Sequence, residues 1–361
     1  MGAIYNFNAG PAVLPPTVLQ QAQAELRDYQ GRGMSILEMS HRSKEYEAIN
    51  AQAEQRLMAL LGLEGGYRAL FVQGGASTQF AMVPLNFLAS GATADYLITG
   101  SWSEKARDEA QRLGHIHSAA DTAADGYRRT PNPEEIRLSA DPAYVHLTSN
   151  ETIHGVQWQR WPEVGAAPLI ADMSSDILSR PLDARTFALI YAGAQKNLGP
   201  AGVTVVLIRD DMLERAAKTP PSMLRYSVYA KNNSLYNTPP VFAVYLLNLV
   251  LGWIGEQGGL AAMERRNSAK AAAVYAAIDG SASFYRGHAA PDSRSAMNVT
   301  FRLPTPELEA RFVTEATAAG MVGLAGHRSV GGARASLYNA LDQPAADALA
   351  AFMIEFARVN G

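Results

Sequence analysis

Phe187-Ala-Leu-Ile-Tyr-Ala-Gly-Ala-Gln-Lys196-Asn-Leu-Gly-Pro-Ala-Gly-Val-Thr-Val-Val-Leu-Ile208 is the stretch whose reading decides the fold. Two apolar runs rich in β-branched residues flank a polar, glycine-rich turn, and a single lysine stands in that turn. The pattern reads as strand, loop, strand, and it delivers Lys196 from a buried strand end to whatever lies beyond the sheet. A lysine so placed either snorkels to solvent or serves as a nucleophile whose pKa its surroundings have lowered. The neighbouring segments have to separate the two.

Outward from this stretch, short apolar strands alternate with helices. Arg68–Gly75, Tyr96–Thr99, Tyr144–Thr148, Pro168–Asp172, Phe187–Tyr191 and Val203–Ile208 read as strands. Helices are expected over Thr17–Tyr29, after an N-cap at Ser43, and over Gln79–Leu88 and Ser103–Leu113. Continuous apolar strands between helices imply an α/β fold with a mostly parallel sheet covered on both faces. Ligands in such sheets bind beyond the carboxyl ends of the strands. Gly75, Trp102, Thr152, Asp172 and Lys196 all follow such ends. Beyond the apolar helix near Pro239–Ile254 and a long helix over Leu260–Ile278, the pattern changes. Strands at Asn298–Leu303 and Ala333–Leu337 and helices at Thr305–Ala319 and Pro344–Arg358 describe a smaller α+β domain. A boundary near 255–265 gives residues 16–260 as the large domain and 261–361, with the N-terminal segment 1–15, as the small one.

Composition excludes several classes. The chain has 361 residues, 48% of them hydrophobic and 18% charged, which is an ordinary globular balance. A net charge of −3 argues against nucleic-acid binding through a broad basic face. With no cysteine, disulfides, thiolate-bound zinc, iron–sulfur clusters and thiol nucleophiles are excluded. The first residues lack the pattern of a signal peptide, and the apolar run at 239–254 is short for a membrane span and contains Asn248. A soluble, cytoplasmic protein is expected. His115-Ile-His117 reads as alternation in a strand, and no metal site is expected.

The chemistry-bearing residues form a constellation. Gln73-Gly-Gly-Ala-Ser-Thr78 is a strand-to-helix turn whose free amides suit a phosphate, although an ordinary capped turn has the same look. It matches neither the dinucleotide fingerprint nor the P-loop. Asp172 ends an apolar strand, where a carboxylate needs a cation or serves as a cap. Together with Lys196 these are the handles of pyridoxal 5'-phosphate: an aspartate for the pyridine nitrogen, a lysine for a Schiff base and a turn for the phosphate. Trp102 is placed to stack on such a ring, or to join the core. His41-Arg42, His327-Arg328 and Arg334 stand on glycine- or serine-rich turns. Any one arginine is as well explained as solvated, but the three sets together suggest a substrate with several negative charges.

Nine segments then resemble one family along nearly the whole chain. They are Phe7-Asn-Ala-Gly-Pro-Ala, Ser40-His-Arg-Ser43, Gly74-Gly-Ala-Ser-Thr-Gln-Phe80, Gly100-Ser-Trp102, Ser149-Asn-Glu-Thr-Ile-His-Gly155, Ala171-Asp-Met-Ser-Ser175, Gly193-Ala-Gln-Lys-Asn197, Tyr236-Asn-Thr-Pro239 and Gly326-His-Arg-Ser329. In order and spacing the chain resembles the phosphoserine aminotransferases, in the class V, fold-type-I branch of pyridoxal-phosphate enzymes.

That resemblance implies a seven-stranded sheet and a transaminase. Lys196 would carry the cofactor as a Schiff base and shuttle a proton, Asp172 would pair with the ring nitrogen and Trp102 would stack on the ring. Ala76 and Ser77 would bind the cofactor phosphate, and Thr152 and Gln195 would contact the ring's edge. It also implies a homodimer with shared active sites. Asn237 and Thr238 would reach the neighbour's cofactor phosphate, and His41 and Arg42 the neighbour's substrate. His327 and Arg328 would hold the substrate phosphate and Arg334 its carboxylate. The reaction implied transfers an amino group between glutamate and 3-phosphohydroxypyruvate, giving O-phospho-L-serine and 2-oxoglutarate in serine biosynthesis, with pyridoxine biosynthesis as a second assignment. An alanine- or serine–glyoxylate aminotransferase of the same branch, or a non-catalytic binder of phosphorylated metabolites, are the alternatives. A cysteine desulfurase is excluded, because its chemistry needs a thiol.

Overall fold

The computed structural model describes residues 4–361. Residues 1–3 of the N-terminal segment assigned to the small domain lie outside the described residues. Seven strands form the main sheet: β1 (Tyr67–Gln73), β2 (Thr93–Ile98), β3 (His115–Asp121), β4 (Val145–Thr148), β5 (Leu169–Asp172), β6 (Leu189–Gly193) and β7 (Val203–Arg209). Their order across the sheet is β1-β7-β6-β5-β4-β2-β3. Every pairing is parallel except the two made by β7, which runs antiparallel to both neighbours. The opening stretch explains the exception. Residues 194–202 alone connect β6 to β7, too few for the crossover that a parallel neighbour needs.

Both faces of the sheet are covered, so β4, β5 and β6 are buried at every position. One face packs Leu70, Tyr96, Ile170, Tyr191 and Val206 against the helices α2 (Ser77–Phe87) and α3 (Ser101–Gln111). The other packs Phe71, Leu147, Ala171, Ile190 and Val205 against α1 (Lys44–Leu60) and the apolar helix α4 (Val241–Glu256). Ser43 caps α1, accepting the Tyr46 N–H at 3.2 Å. The first expected helix is shorter than its periodicity suggested, ending at Glu25. Asp28 then takes the Gly33 N–H, and Tyr29 N–H turns to the Met34 carbonyl, which diverts the chain into a tight turn. Among the described residues no single helix is long and apolar enough to cross a membrane.

A second apolar core lies around a three-stranded antiparallel sheet of Arg286–Gly287, Asn298–Arg302 and Ala333–Ser336. Phe301, Phe312, Phe356 and Tyr285 meet there edge to face. The helix α5 (Gly259–Asp279) serves both cores: Leu260 and Met263 belong to the first, Ala271, Val274 and Ile278 to the second. Phe7 also enters the second core, and Tyr5–Asn6 pairs in parallel with Met321–Val322.

Candidate active site

Topology brings the functional segments to one edge of the sheet. Because β7 pairs with β1 from Val203–Gln73 onward, the start of β7 meets the end of β1, and Gly74 N–H donates to the Gly202 carbonyl at 3.0 Å. The Gly74–Ser77 turn therefore lies beside the loop that carries Lys196. Thr148 and Asp172 are cross-strand neighbours at the ends of β4 and β5, and Asp172 in turn pairs with Tyr191, two residues before the end of β6. Between these ends lies a cavity of about 330 Å³, lined by Ala76, Ser77, Trp102, Thr152, Asp172, Gln195 and Lys196 among others. Seven expected site residues meet there.

Lys196 Nζ donates to Thr152 Oγ1 at 2.7 Å and lies 5.8 Å from the centre of the Trp102 ring. Burial pushes its ammonium down to about 8; Asp172 opposes this by favouring the charge, and Arg334 adds to it by repulsion. Asp172 is buried, which pushes its carboxyl up, while bonds from Ser174 and the charge of Lys196 pull it back. Its Oδ1 accepts the Ser174 N–H at 2.9 Å. The helix α2 begins at Ser77 with no side-chain cap, its N-cap being Ala76. The Thr78 and Gln79 amides turn back to the Gly75 and Ala76 carbonyls, which leaves the Ala76 and Ser77 amides for an anion among the described residues. Among the described residues the buried Thr148 hydroxyl and Trp102 indole N–H have no partners, and both residues line the cavity. Open amides, a desolvated amine, a buried carboxylate and a flat aromatic wall together fit pyridoxal phosphate.

A basic rim borders the cavity. Arg334 sits on the small sheet at the position opposite Thr300, and its Nε is buried without a partner. His327 is held below its ordinary pKa by burial first, then by the nearby charges of Arg334, Lys105 and Arg328. Its turn is built by close backbone approach: a Cβ on Gly326 would lie 2.0 Å from the Gly331 carbonyl oxygen. Lys105, which the sequence reading passed over, stands 4.4 Å from the Trp102 ring centre, one helical turn along α3.

The remaining four expected residues belong neither to the cavity lining nor to this rim. His41 and Arg42 sit on the turn before α1, with Arg42 exposed. Asn237 and Thr238 lie on the surface before α4, where the Thr238 carbonyl accepts from Gln73 Nε2 at 2.6 Å. His117 bonds the buried Asp95 at 3.1 Å, which accounts for that histidine within β3.

Two buried carboxylates next in sequence to cavity-lining residues went unread. Asp176 accepts from Ser149 Oγ, and from Gln157 Nε2 at 3.0 Å. Glu151 is fully buried and accepts the Trp102 N–H at 3.0 Å, the Ser103 N–H at 2.9 Å and the Ser103 hydroxyl at 2.7 Å. Burial pushes its carboxyl up to about 7 against the pull of those bonds. The only local sign was a charged residue inside an otherwise uncharged stretch next to Thr152.

The family model for class-V aminotransferases matches residues 4–349. A phosphoserine aminotransferase of Herpetosiphon aurantiacus is 63% identical over 99% of each chain. Among solved structures, the phosphoserine aminotransferase of Bacillus circulans subsp. alkalophilus superposes with a TM-score of 0.98 at 57% identity, covering 99% of each chain. That of Trichomonas vaginalis, solved with pyridoxal phosphate bound, gives 0.92 at 42% identity over 97% of this chain and 99% of its own. With family model, relatives and fold in agreement over nearly the whole described length, the chain belongs to the class-V aminotransferases and, within them, to the phosphoserine aminotransferase family.

Proposed function

We propose that the cavity between β4, β5 and β6 is where this chain interconverts phosphoserine and 3-phosphohydroxypyruvate, with glutamate and 2-oxoglutarate as the other pair. The observation that carries the reading is Lys196: its amine, on a half-buried side chain, is held by Thr152 and lowered to about 8, near the buried carboxylate of Asp172. Pyridoxal phosphate, when bound, supplies an electron-withdrawing ring that stores the amino group between the two halves of the exchange.

The chain's own residues divide the remaining work. Lys196 is the covalent attachment point, and once released it moves the proton at the substrate's α-carbon. Asp172 holds the proton on the pyridine nitrogen, and Trp102 forms one wall against the ring. The Ala76 and Ser77 amides hold the cofactor phosphate, while Thr152 and Gln195 border the ring's edge. Arg334 receives the α-carboxylate of either substrate, and His327 with Arg328 receives the phosphate or the distal carboxylate. A basic rim that accepts either anion lets one site serve both halves of the exchange.

His41, Arg42, Asn237 and Thr238 act in this reading on the site of a second subunit in a homodimer. Exposed apolar side chains beside both segments support it: Met34 and Leu37 precede the first and Tyr236 precedes the second, at 45%, 59% and 50% exposure. The division into residues 16–260 and 261–361 with the N-terminal segment rests on the two separate cores. Serine biosynthesis in the cytoplasm is the physiological setting, and a 4-phosphohydroxythreonine assay tests the pyridoxine branch.

The experiment is a rate comparison on purified protein. Phosphoserine is expected to be used at least a hundredfold more efficiently than serine, because unpaired cationic groups discriminate strongly against a missing anion. Equal efficiencies would rule the assignment out. Borohydride is expected to fix the cofactor on the peptide containing Lys196; cofactor fixed elsewhere would remove Lys196 from its role.

A further inference from the structure

The helix that carries Trp102 has no cap of its own. Its N-cap position is Gly100, which has no side chain, so the amides of Trp102 and Ser103 at the second and third helical positions would be left without local acceptors. An Asp, Asn, Ser or Thr at the N-cap ordinarily serves those two amides. Here Glu151 does so from 49 residues beyond Trp102. Gly100 is bare for that reason: a Cβ there would lie 2.5 Å from the Glu151 carboxyl carbon. Ser103 completes the cluster, giving its hydroxyl to Glu151 while its oxygen faces the Thr99 and Gly100 amides at 2.9 and 3.1 Å.

Glu151 is also joined by one peptide bond to Thr152, whose hydroxyl accepts from Lys196. One short strand, Asn150–Glu151, therefore fastens the aromatic wall of the cavity and the bonding partner of its reactive amine. Asn150 anchors the strand from the other side, donating to Ser175 Oγ and Asn298 Oδ1 at 2.8 Å each.

We propose that Glu151 is a positioning residue that sets the Trp102 ring against the bound cofactor by capping the helix Ser101–Gln111 from the segment that follows the neighbouring strand β4. The proposal rests on the reading of the cavity as a pyridoxal phosphate site. Glu151 does not line the cavity, and its effect reaches the site through the Trp102 backbone. A carboxylate suits the task because the amides of a helix N-terminus carry partial positive charge. Its amide analogue keeps the shape but turns an NH2 group toward at least one of the three donors.

The test is a double-mutant cycle read by cofactor affinity. Apoprotein is titrated with pyridoxal phosphate and followed by visible absorbance and by the circular dichroism of the bound cofactor. Glu151→Gln is expected to weaken binding about tenfold, the scale of a lost helix cap, and to reduce the induced dichroism. In a Trp102→Ala background the same substitution is expected to change affinity less than about twofold, because the ring through which it acts is gone. Equal losses in both backgrounds, or no loss in either, would overturn the proposal and show Glu151 to be a structural cap only. If Glu151→Gln is not recovered folded, Ser103→Ala, which removes one of the three donors, takes its place in the same cycle with the same deciding outcomes. Parent protein that fails to bind pyridoxal phosphate would sink the reading of the cavity itself. Binding by the parent with a flat cycle would sink only the role of Glu151.

Discussion

Lys196 shows how burial turns an ordinary side chain into a reactive one. Its pKa of about 8, against an ordinary 10.5, means the folded protein disfavours the ammonium. Between about pH 8 and 10.5 the unfolded chain binds more protons than the folded one, so stability contributed at this position rises with pH; below pH 8 the penalty is fully present. Replacing Lys196 with Met is therefore expected to stabilise the apoprotein at pH 7 by on the order of 1 kcal/mol while abolishing transamination. Denaturant unfolding at pH 7 and pH 10 checks it, and the advantage of the variant should shrink at the higher pH. The lysine's place at a strand end was legible in the sequence. Its hydrogen bond to Thr152 was not, since those two residues meet only through the register of β4, β5 and β6.

At the scale of elements, turns and caps decide which side chains reach the site. Gly326 lies where no Cβ fits, 2.0 Å from the Gly331 oxygen, so its substitution displaces the turn that presents His327 and Arg328. Gly326→Ala is expected to raise KM for phosphoserine roughly tenfold while leaving the absorbance of the bound cofactor intact. A lost cofactor band would place the turn's role elsewhere. Ser43→Ala is expected to cost about 1 kcal/mol through the lost cap on Tyr46, measured by thermal unfolding. The cap at Ser43 was readable because its donor lies three residues on. The cap on Ser101–Gln111 was not, because its acceptor belongs to another element.

At the scale of the molecule, two cores are joined by one long helix, and a buried lysine fastens that helix to the segment after the small sheet. Lys270 is fully buried, burial pushes its pKa well down, and its ammonium donates to the carbonyls of Leu337, Tyr338 and Leu341 at 2.8, 2.6 and 3.0 Å. Lys270→Met would remove three buried hydrogen bonds and is expected to destabilise the fold by about 2–4 kcal/mol, read by chemical denaturation. Assembly carries a further expectation. Inactive Lys196→Ala and inactive Arg42→Ala subunits, mixed and reassociated, should regain part of the parent activity if Arg42 serves the neighbouring site. Hybrid dimers that form and stay inactive would count against that arrangement.

The sequence by itself determined the alternation of buried strands and helices, the strand-end positions of Asp172 and Lys196, and the family that their spacing resembles. These signals are local or periodic, and each apolar run states its own burial. Only the tertiary structure decided that β7 reverses beside β1, that Lys105 stands against Trp102, and that Glu151 caps a helix 49 residues away. The reason is that a buried polar group must find partners wherever the packed chain supplies them. Gly100 and Glu151 each look unremarkable alone, and become a unit only when the fold sets one against the other.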